Sequence, residues 1–227
     1  KGLAQFKQEP KVDPDNLQVL FEITLNNLSA EGDIDEQDFL DRADVLCSIG
    51  QTVLISNYQK YYKLVEFFSR HTKKRMGVIM GASTLVEIFN ERYYRELNGG
   101  ILEAFGILFS RDLKILLYPW KDEASGKLWN SQTTPIHPRL KPLYDYLAFN
   151  KRITDISDFD PEVLSIFSRT ALESIKNGGD DWVDMVPDFV DSIIKKKCLF
   201  GYCGTTKPSD NASEDPAAAA ARAIEQK

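Results

Sequence analysis

The chain has 227 residues, of which 43% are hydrophobic and 27% charged, with a formal net charge of −6. That length suffices for one domain or one and a half with a real core. The acidic balance (pI about 5.1) argues against a general nucleic-acid binder, and no run approaches the roughly 18 apolar residues of a membrane span.

The first residue is Lys1 and no signal-like apolar run follows it. The chain therefore reads as a processed product or the C-terminal part of a longer protein, soluble and intracellular, in the cytoplasm or an organelle interior. Residues 1–32 form an acidic lead-in arm punctuated by Pro10 and Pro14, with a strand over 17–23. Asp35 is a fitting N-cap for the next helix, whose stripe is Phe39, Leu40, Ala43 and Leu46.

An α/β domain over 33–120 follows. Thr52–Ser56 reads as a buried strand, and Tyr58, Tyr61, Tyr62, Val65 and Phe68 recur at helical spacing. Met76–Met80 is a second strand, Thr84–Leu97 a helix, Ile101–Ser110 another, and Leu113–Tyr118 a third strand. Strand, helix, strand, helix, strand is the pattern of a small parallel sheet with crossover helices, Rossmann-like in type.

Residues 121–203 read as a loop-rich, then helical, extension packed on that domain. It holds a helix over 143–149, one opened by Asp160-Pro161 with Leu164, Phe167, Ala171, Leu172 and Ile175 inward, and one over 187–197 with Phe189, Val190, Ile193 and Ile194 apolar. Residues 204–227 read as a flexible, Ala-rich tail with Ser213 as a helix cap.

Three cysteines, Cys47, Cys198 and Cys203, give no disulfide framework; Cys198 and Cys203 read as reduced thiols, with a bridge between them the alternative in an oxidising compartment. His71 and His137 lie far apart with no zinc-like spacing, so no metal site is expected.

In open parallel sheets ligands sit beyond the carboxyl ends of the strands. There the sequence offers Asn57 and Tyr58 after the first strand and Gly81, Ser83 and Thr84 after the second. Gly81 would allow a tight turn, and Ser83 or Thr84 would lie where helix N–H groups are free. Two readings stand: a plain helix cap, or a phosphate cradle. Gly99 and Gly100 form a second such turn with Glu103 one turn in, either a break between helices or an anion site. The doublets Tyr61-Tyr62 and Tyr93-Tyr94 suit either one buried and one surface ring or base stacking, and Lys73, Lys74 and Arg75 either a solvated turn or phosphate contacts.

Charge is uneven along the chain. Residues 1–44 carry four basic and eleven acidic groups, and residues 60–75 six basic groups against one acid. An acidic arm is thus joined to a mildly basic body, which suits an anionic ligand.

Several segments, in order, resemble one family. They are Phe39-Leu-Asp-Arg-Ala-Asp-Val-Leu46, Thr52-Val-Leu-Ile-Ser-Asn-Tyr58, Thr72-Lys-Lys-Arg-Met-Gly-Val-Ile-Met-Gly81, Glu91-Arg-Tyr-Tyr94, Asn98-Gly-Gly-Ile-Leu-Glu-Ala-Phe-Gly106, Leu164-Ser-Ile-Phe-Ser-Arg169 and Leu199-Phe-Gly-Tyr202. Together they span roughly residues 36–202. The chain resembles a family of large proteins commonly labelled nicotinate- or nicotinamide-nucleotide adenylyltransferase, and sometimes TonB-dependent receptor. The second label needs a membrane barrel of many alternating strands, which this sequence does not offer. The first implies nucleotide binding and nucleotidyl transfer. Such transferases carry a histidine-bearing phosphate motif and a late Ser-Thr-Arg motif; this chain has neither, so no catalytic residue carries over.

The sequence thus points to binding of a nucleotide or other phosphorylated small molecule, with no cofactor specified. The competing expectation is a non-catalytic assembly subunit that meets protein partners through its N-terminal arm and C-terminal tail.

Overall fold

The computed structural model describes residues 1–24, 36–110, 112–122 and 125–202. The order is α1 (Gly2–Lys7), β1 (Phe21–Thr24), α2 (Glu36–Ser48), β2 (Val53–Ser56), α3 (Tyr61–His71), β3 (Gly77–Gly81), α4 (Ala82–Ile88), α5 (Gly100–Leu108) and β4 (Lys114–Tyr118). Then come β5 (Trp120–Lys121), β6 (Leu128–Trp129), α6 (Lys141–Phe149), β7 (Ile153–Asp155), α7 (Ser168–Lys176) and α8 (Val190–Lys197). The expected cap at Asp35, Cys203 and the tail over 204–227 lie outside the described residues.

The class is α/β, and its centre is a three-stranded parallel sheet in the order β3-β4-β7. Gly77 stands opposite Lys114 and Met80 opposite Leu117, while Ile115 stands opposite Ile153 on the other edge. β4 reads Lys-Ile-Leu-Leu-Tyr because both its faces are covered. Ile115 and Leu117 pack with Leu85, Phe105 and Tyr144, and Leu116 packs on the opposite face with Phe6 and Ile156. Burying each of those three aliphatic side chains is worth about 1.5–3 kcal/mol.

One short element closes the second face. α1 lies across the sheet and lays the Phe6 ring on Gly77, where a Cβ would stand 2.6 Å from the ring. Polar contacts fix both ends of this strap. Lys1 pairs with Asp158 at 2.8 Å, Gln5 Nε2 donates to the Asp155 carbonyl at 2.8 Å, and Glu9 pairs with Lys114.

The strands do not join into one sheet as the sequence pattern predicts. The 53–56 strand pairs in parallel with β1, Phe21 opposite Val53, as a separate two-stranded ribbon. The third strand of the central sheet is β7. A three-residue strand after α6 carries too little pattern to be read, yet it covers the far edge of β4 and lets Ile153 enter the main core.

Two expected helices are broken. The one over 84–97 ends at Ile88 and resumes as a 3-10 turn over Glu91–Tyr94. Asn90 Oδ1 accepts from the Arg92 amide at 3.2 Å, a local cap that competes with helix continuation. The Tyr94 hydroxyl then donates to the Ile88 carbonyl at 2.7 Å, satisfying a helix-end acceptor.

The expected helix from Asp160 divides into a 3-10 turn over Glu162–Ser165 and α7. The cap position of the turn is Pro161 and not the expected Asp160, whose Oδ1 accepts from the Glu162 amide at 2.9 Å just ahead of it. The break follows from packing. Leu164 on the turn and Ala171 and Ile175 on α7 are all buried, but only the latter two enter the cluster around Trp182.

That second cluster contains Val190, Ile194 and Leu199 and draws in Val45 and Ile49 from the α2 segment. So α2 packs on the C-terminal helices. Leu40, expected in its apolar stripe, is exposed, as is Phe189, which precedes α8 with a left-handed backbone (φ 69).

No helix among the described residues is long and apolar enough to cross a membrane.

Candidate functional site

The carboxyl end of the central sheet is finished by the chain itself. Asp155, the last residue of β7, accepts from the Ser131 amide at 2.7 Å and the Ser131 hydroxyl at 2.5 Å. The Tyr144 hydroxyl donates to the Ser131 carbonyl at 2.5 Å. Burial pushes the Tyr144 phenol above its ordinary range, aided by Asp155 and Asp145, so it stays a neutral donor. Next to this seal the β5-β6 hairpin stacks Trp120 on Trp129, edge to face, at 4.7 Å.

The sequence-predicted site residues do not converge there. Gly81 pairs with Tyr118 at the end of β3 and caps α4. Its φ of −78 is open to any residue, so no tight turn requires glycine. Ser83 and Thr84 follow in the first turn of α4, a helix of seven residues. Asn57 and Tyr58 follow β2 and belong to the separate ribbon. The Tyr58 amide donates to Ser56 Oγ at 3.2 Å and its ring rests 5.9 Å from that of Phe67.

At Gly99 and Gly100 the free amide meets the chain's own carboxylate, while the Gly100 amide donates to the Leu97 carbonyl. The Gly99 amide donates to Glu103 Oε2 at 2.8 Å. A Cβ on Gly99 would stand 2.8 Å from the Glu103 Cβ, and Gly100 has φ +56, so both glycines serve this closed turn. The tyrosine doublets take the core-and-rim arrangement: Tyr62 and Tyr94 are buried, Tyr61 and Tyr93 half-buried.

Lys73 and Arg75 precede β3, so they stand at the opposite end of the strand from Gly81. Gly81 lies six residue steps beyond Arg75, roughly 20 Å in extended chain. Lys73 is exposed beside Arg70 and His71 at the end of α3. Arg75 turns inward, its Nη1 donating to the Pro10 carbonyl at 2.7 Å and its Nη2 lying 3.3 Å from Glu9 Oε2.

That amino end carries a cleft of about 780 Å³. Its walls are α5 and α6, which contribute Leu102, Phe105, Gly106 and Phe109, and Leu143, Tyr146 and Leu147. Its polar end is built from residues just before or at the start of the three central strands: Arg75, Asp112, Lys114, Lys151 and Arg152, with Glu9 from the arm. Lys114 and Arg75 share the Glu9 carboxylate, and Arg152 Nη1 lies 3.5 Å from Asp112 Oδ1. Among the described lining residues four cations face two carboxylates, a surplus of two positive charges.

The helix spacing explains the walls. Leu102 and Gly106, and Leu143 and Leu147, are pairs at i, i+4 and share a face. Leu102 and Tyr146 stay 66% exposed at the rim, while Phe105 and Leu147 are buried as floor.

Sequence reasoning placed only Arg75 among these residues. Lys114 was readable as a charge at the head of an apolar strand, and Gly106 as a gap in an otherwise apolar helix. Arg152 was not readable without β7, nor Glu9 without the fold that brings the arm back.

The described residues contain no group of three or more histidine, cysteine, aspartate or glutamate side chains arranged to hold a metal ion. No protein-family model, curated protein or solved structure matches this chain.

Proposed function

We propose that the chain is a binding module for a phosphorylated small molecule, seated in the cleft at the amino end of the β3-β4-β7 sheet. The observation that carries this reading is the surplus of two cations at one end of a cleft whose other walls are apolar. Guanidinium and ammonium groups held in place by Glu9 and Asp112 need no large rearrangement to receive a phosphate, and charge-assisted hydrogen bonds are the strong ones. The resemblance to nucleotide adenylyltransferases supports a nucleotide as a ligand class to test. It also implies nucleotidyl transfer, but the cleft lining holds no histidine to match that motif, so the reading stops at binding.

Thermal shift with a panel of phosphorylated compounds and their dephosphorylated counterparts tests it. Stabilisation is expected only with the phosphorylated members. Arg152→Ala, which removes a partly exposed cation, should weaken it about tenfold, in line with roughly 1.5 kcal/mol for one charge-assisted hydrogen bond. No shift with any phosphorylated compound at millimolar concentration would refute the reading.

A non-catalytic assembly subunit is the second reading. Its support is the apolar rim where Leu102, Tyr146 and the 88% exposed Phe149 stand on α5 and α6. The described start of the arm does not support it, because residues 1–16 are tied to their own chain by Lys1, Gln5, Glu9, Pro10 and Asn16. Sedimentation velocity separates the two: a strictly monomeric chain that binds phosphate compounds fits the first alone.

A further inference from the structure

Resting on that reading, we infer that the ligand of the cleft is a phosphate monoester with an apolar body, and not a nucleoside triphosphate. Charge sets the head. The lining carries a surplus of two positive charges, and a phosphate monoester carries about 1.5 to 2 negative charges at neutral pH. Such a head is balanced by the site. A triphosphate brings roughly twice that charge and would leave negative charge unmatched beside Glu9 and Asp112.

Donor count agrees with the charge count. The side chains of Lys114 and Arg75 are 8% and 14% exposed. Arg75 Nε is enclosed without an acceptor among the described residues. Lys151 is exposed and the Arg152 side chain is 34% exposed, so these two cations are the ones open to a multi-oxygen anion.

Shape sets the body. Beyond the charged end the lining is Phe105, Phe109, Leu143 and Leu147, with Leu102 and Tyr146 at the rim. Apart from the rim hydroxyl of Tyr146, Asn150 is the only neutral polar side chain in the lining, so there is little to read the edge of a base. At Gly106 the wall is open: an added Cβ would meet nothing within 4 Å. The gap over Gly106 is room for an alkyl or aryl group.

Isothermal titration of the 227-residue chain with inorganic phosphate, hexyl phosphate, hexanol and ATP decides it. Hexyl phosphate should bind more than tenfold tighter than inorganic phosphate or ATP, and hexanol should not bind. Each methylene added to shorter alkyl phosphates should tighten binding by up to about fourfold, the transfer value of roughly 0.8 kcal/mol converted to a ratio. Gly106→Phe should fill the gap and cost hexyl phosphate at least tenfold while the melting temperature holds. Gly106→Leu is the milder replacement should the larger ring prevent folding.

ATP or inorganic phosphate binding as tightly as hexyl phosphate would overturn the inference and leave the cleft standing as a phosphate site. No binding by any phosphate compound would overturn both. A free ester and a lipid headgroup share this chemistry. Flotation with phosphatidic acid vesicles that Gly106→Phe abolishes assigns the lipid source. Absence of flotation assigns the free ester. Flotation untouched by Gly106→Phe, with no hexyl phosphate binding, overturns the inference.

Discussion

At its carboxyl end the central sheet is closed by short, internally satisfied hydrogen bonds, with Ser131 held by Asp155 and Tyr144. At its amino end the same three strands begin in charges, with Lys114, Arg75 and Arg152 only partly balanced by Glu9 and Asp112. At the first end the Ser131 amide, hydroxyl and carbonyl and the Asp155 carboxylate are already paired. The second has cations fixed in place and space beside them. In a parallel sheet the carboxyl edge is the default binding edge because loops and helix N-termini gather there. Here the hairpin and the Ser131 turn occupy that edge, and the cleft lies at the other.

The largest expected effect tests whether the amino end is held by charge. Glu9→Ala leaves Lys114 and Arg75 enclosed without their shared carboxylate, at a cost of about 3 kcal/mol. Denaturant unfolding measures it; a loss under about 1 kcal/mol would mean that water already screens these cations, and the contrast between the two ends would weaken.

The carboxyl end should instead answer to alkali. Burial raises the Tyr144 and Tyr94 phenols above their ordinary 10.0. The unfolded chain then loses these protons first, so this part of the stability is intact below about pH 10 and declines as pH rises beyond it. Tyr144→Phe should lose about 1 kcal/mol at neutral pH through the hydrogen bond to Ser131. Its melting temperature should then fall less steeply with rising alkalinity than that of the parent chain. An unchanged slope would remove Tyr144 from the account.

The smallest effect is a gain. Gly106→Ala adds a methyl into open space on α5 and should stabilise by roughly 0.5–1 kcal/mol. A destabilised protein would show that the cleft wall is tighter than the packing indicates.

What could be read from the sequence follows from the length of each signal. The β4 run and the apolar repeats of α3 and α5 span five or more residues, and they stand where the pattern puts them. β7 has three residues and no such signal, so the sheet was assembled with β2 in its place. The break at Asn90 depends on one side chain bonding two residues ahead, which periodicity averages away. The cleft was the least legible part. Glu9 and Lys114 are 105 residues apart and meet only through the fold. Their residue types alone describe an ordinary solvated acid and base.

The strap also sets an order in time. Residues 1–9 are made before the strands they cover, and Gln5 must wait for Asp155, 150 residues later, before its partner exists. Until β3 and β4 have been made, Phe6 has no sheet to cover. The strap can therefore complete its return to the sheet only once β7 exists. The polar end of the cleft, which needs Glu9, can form only when that return is complete.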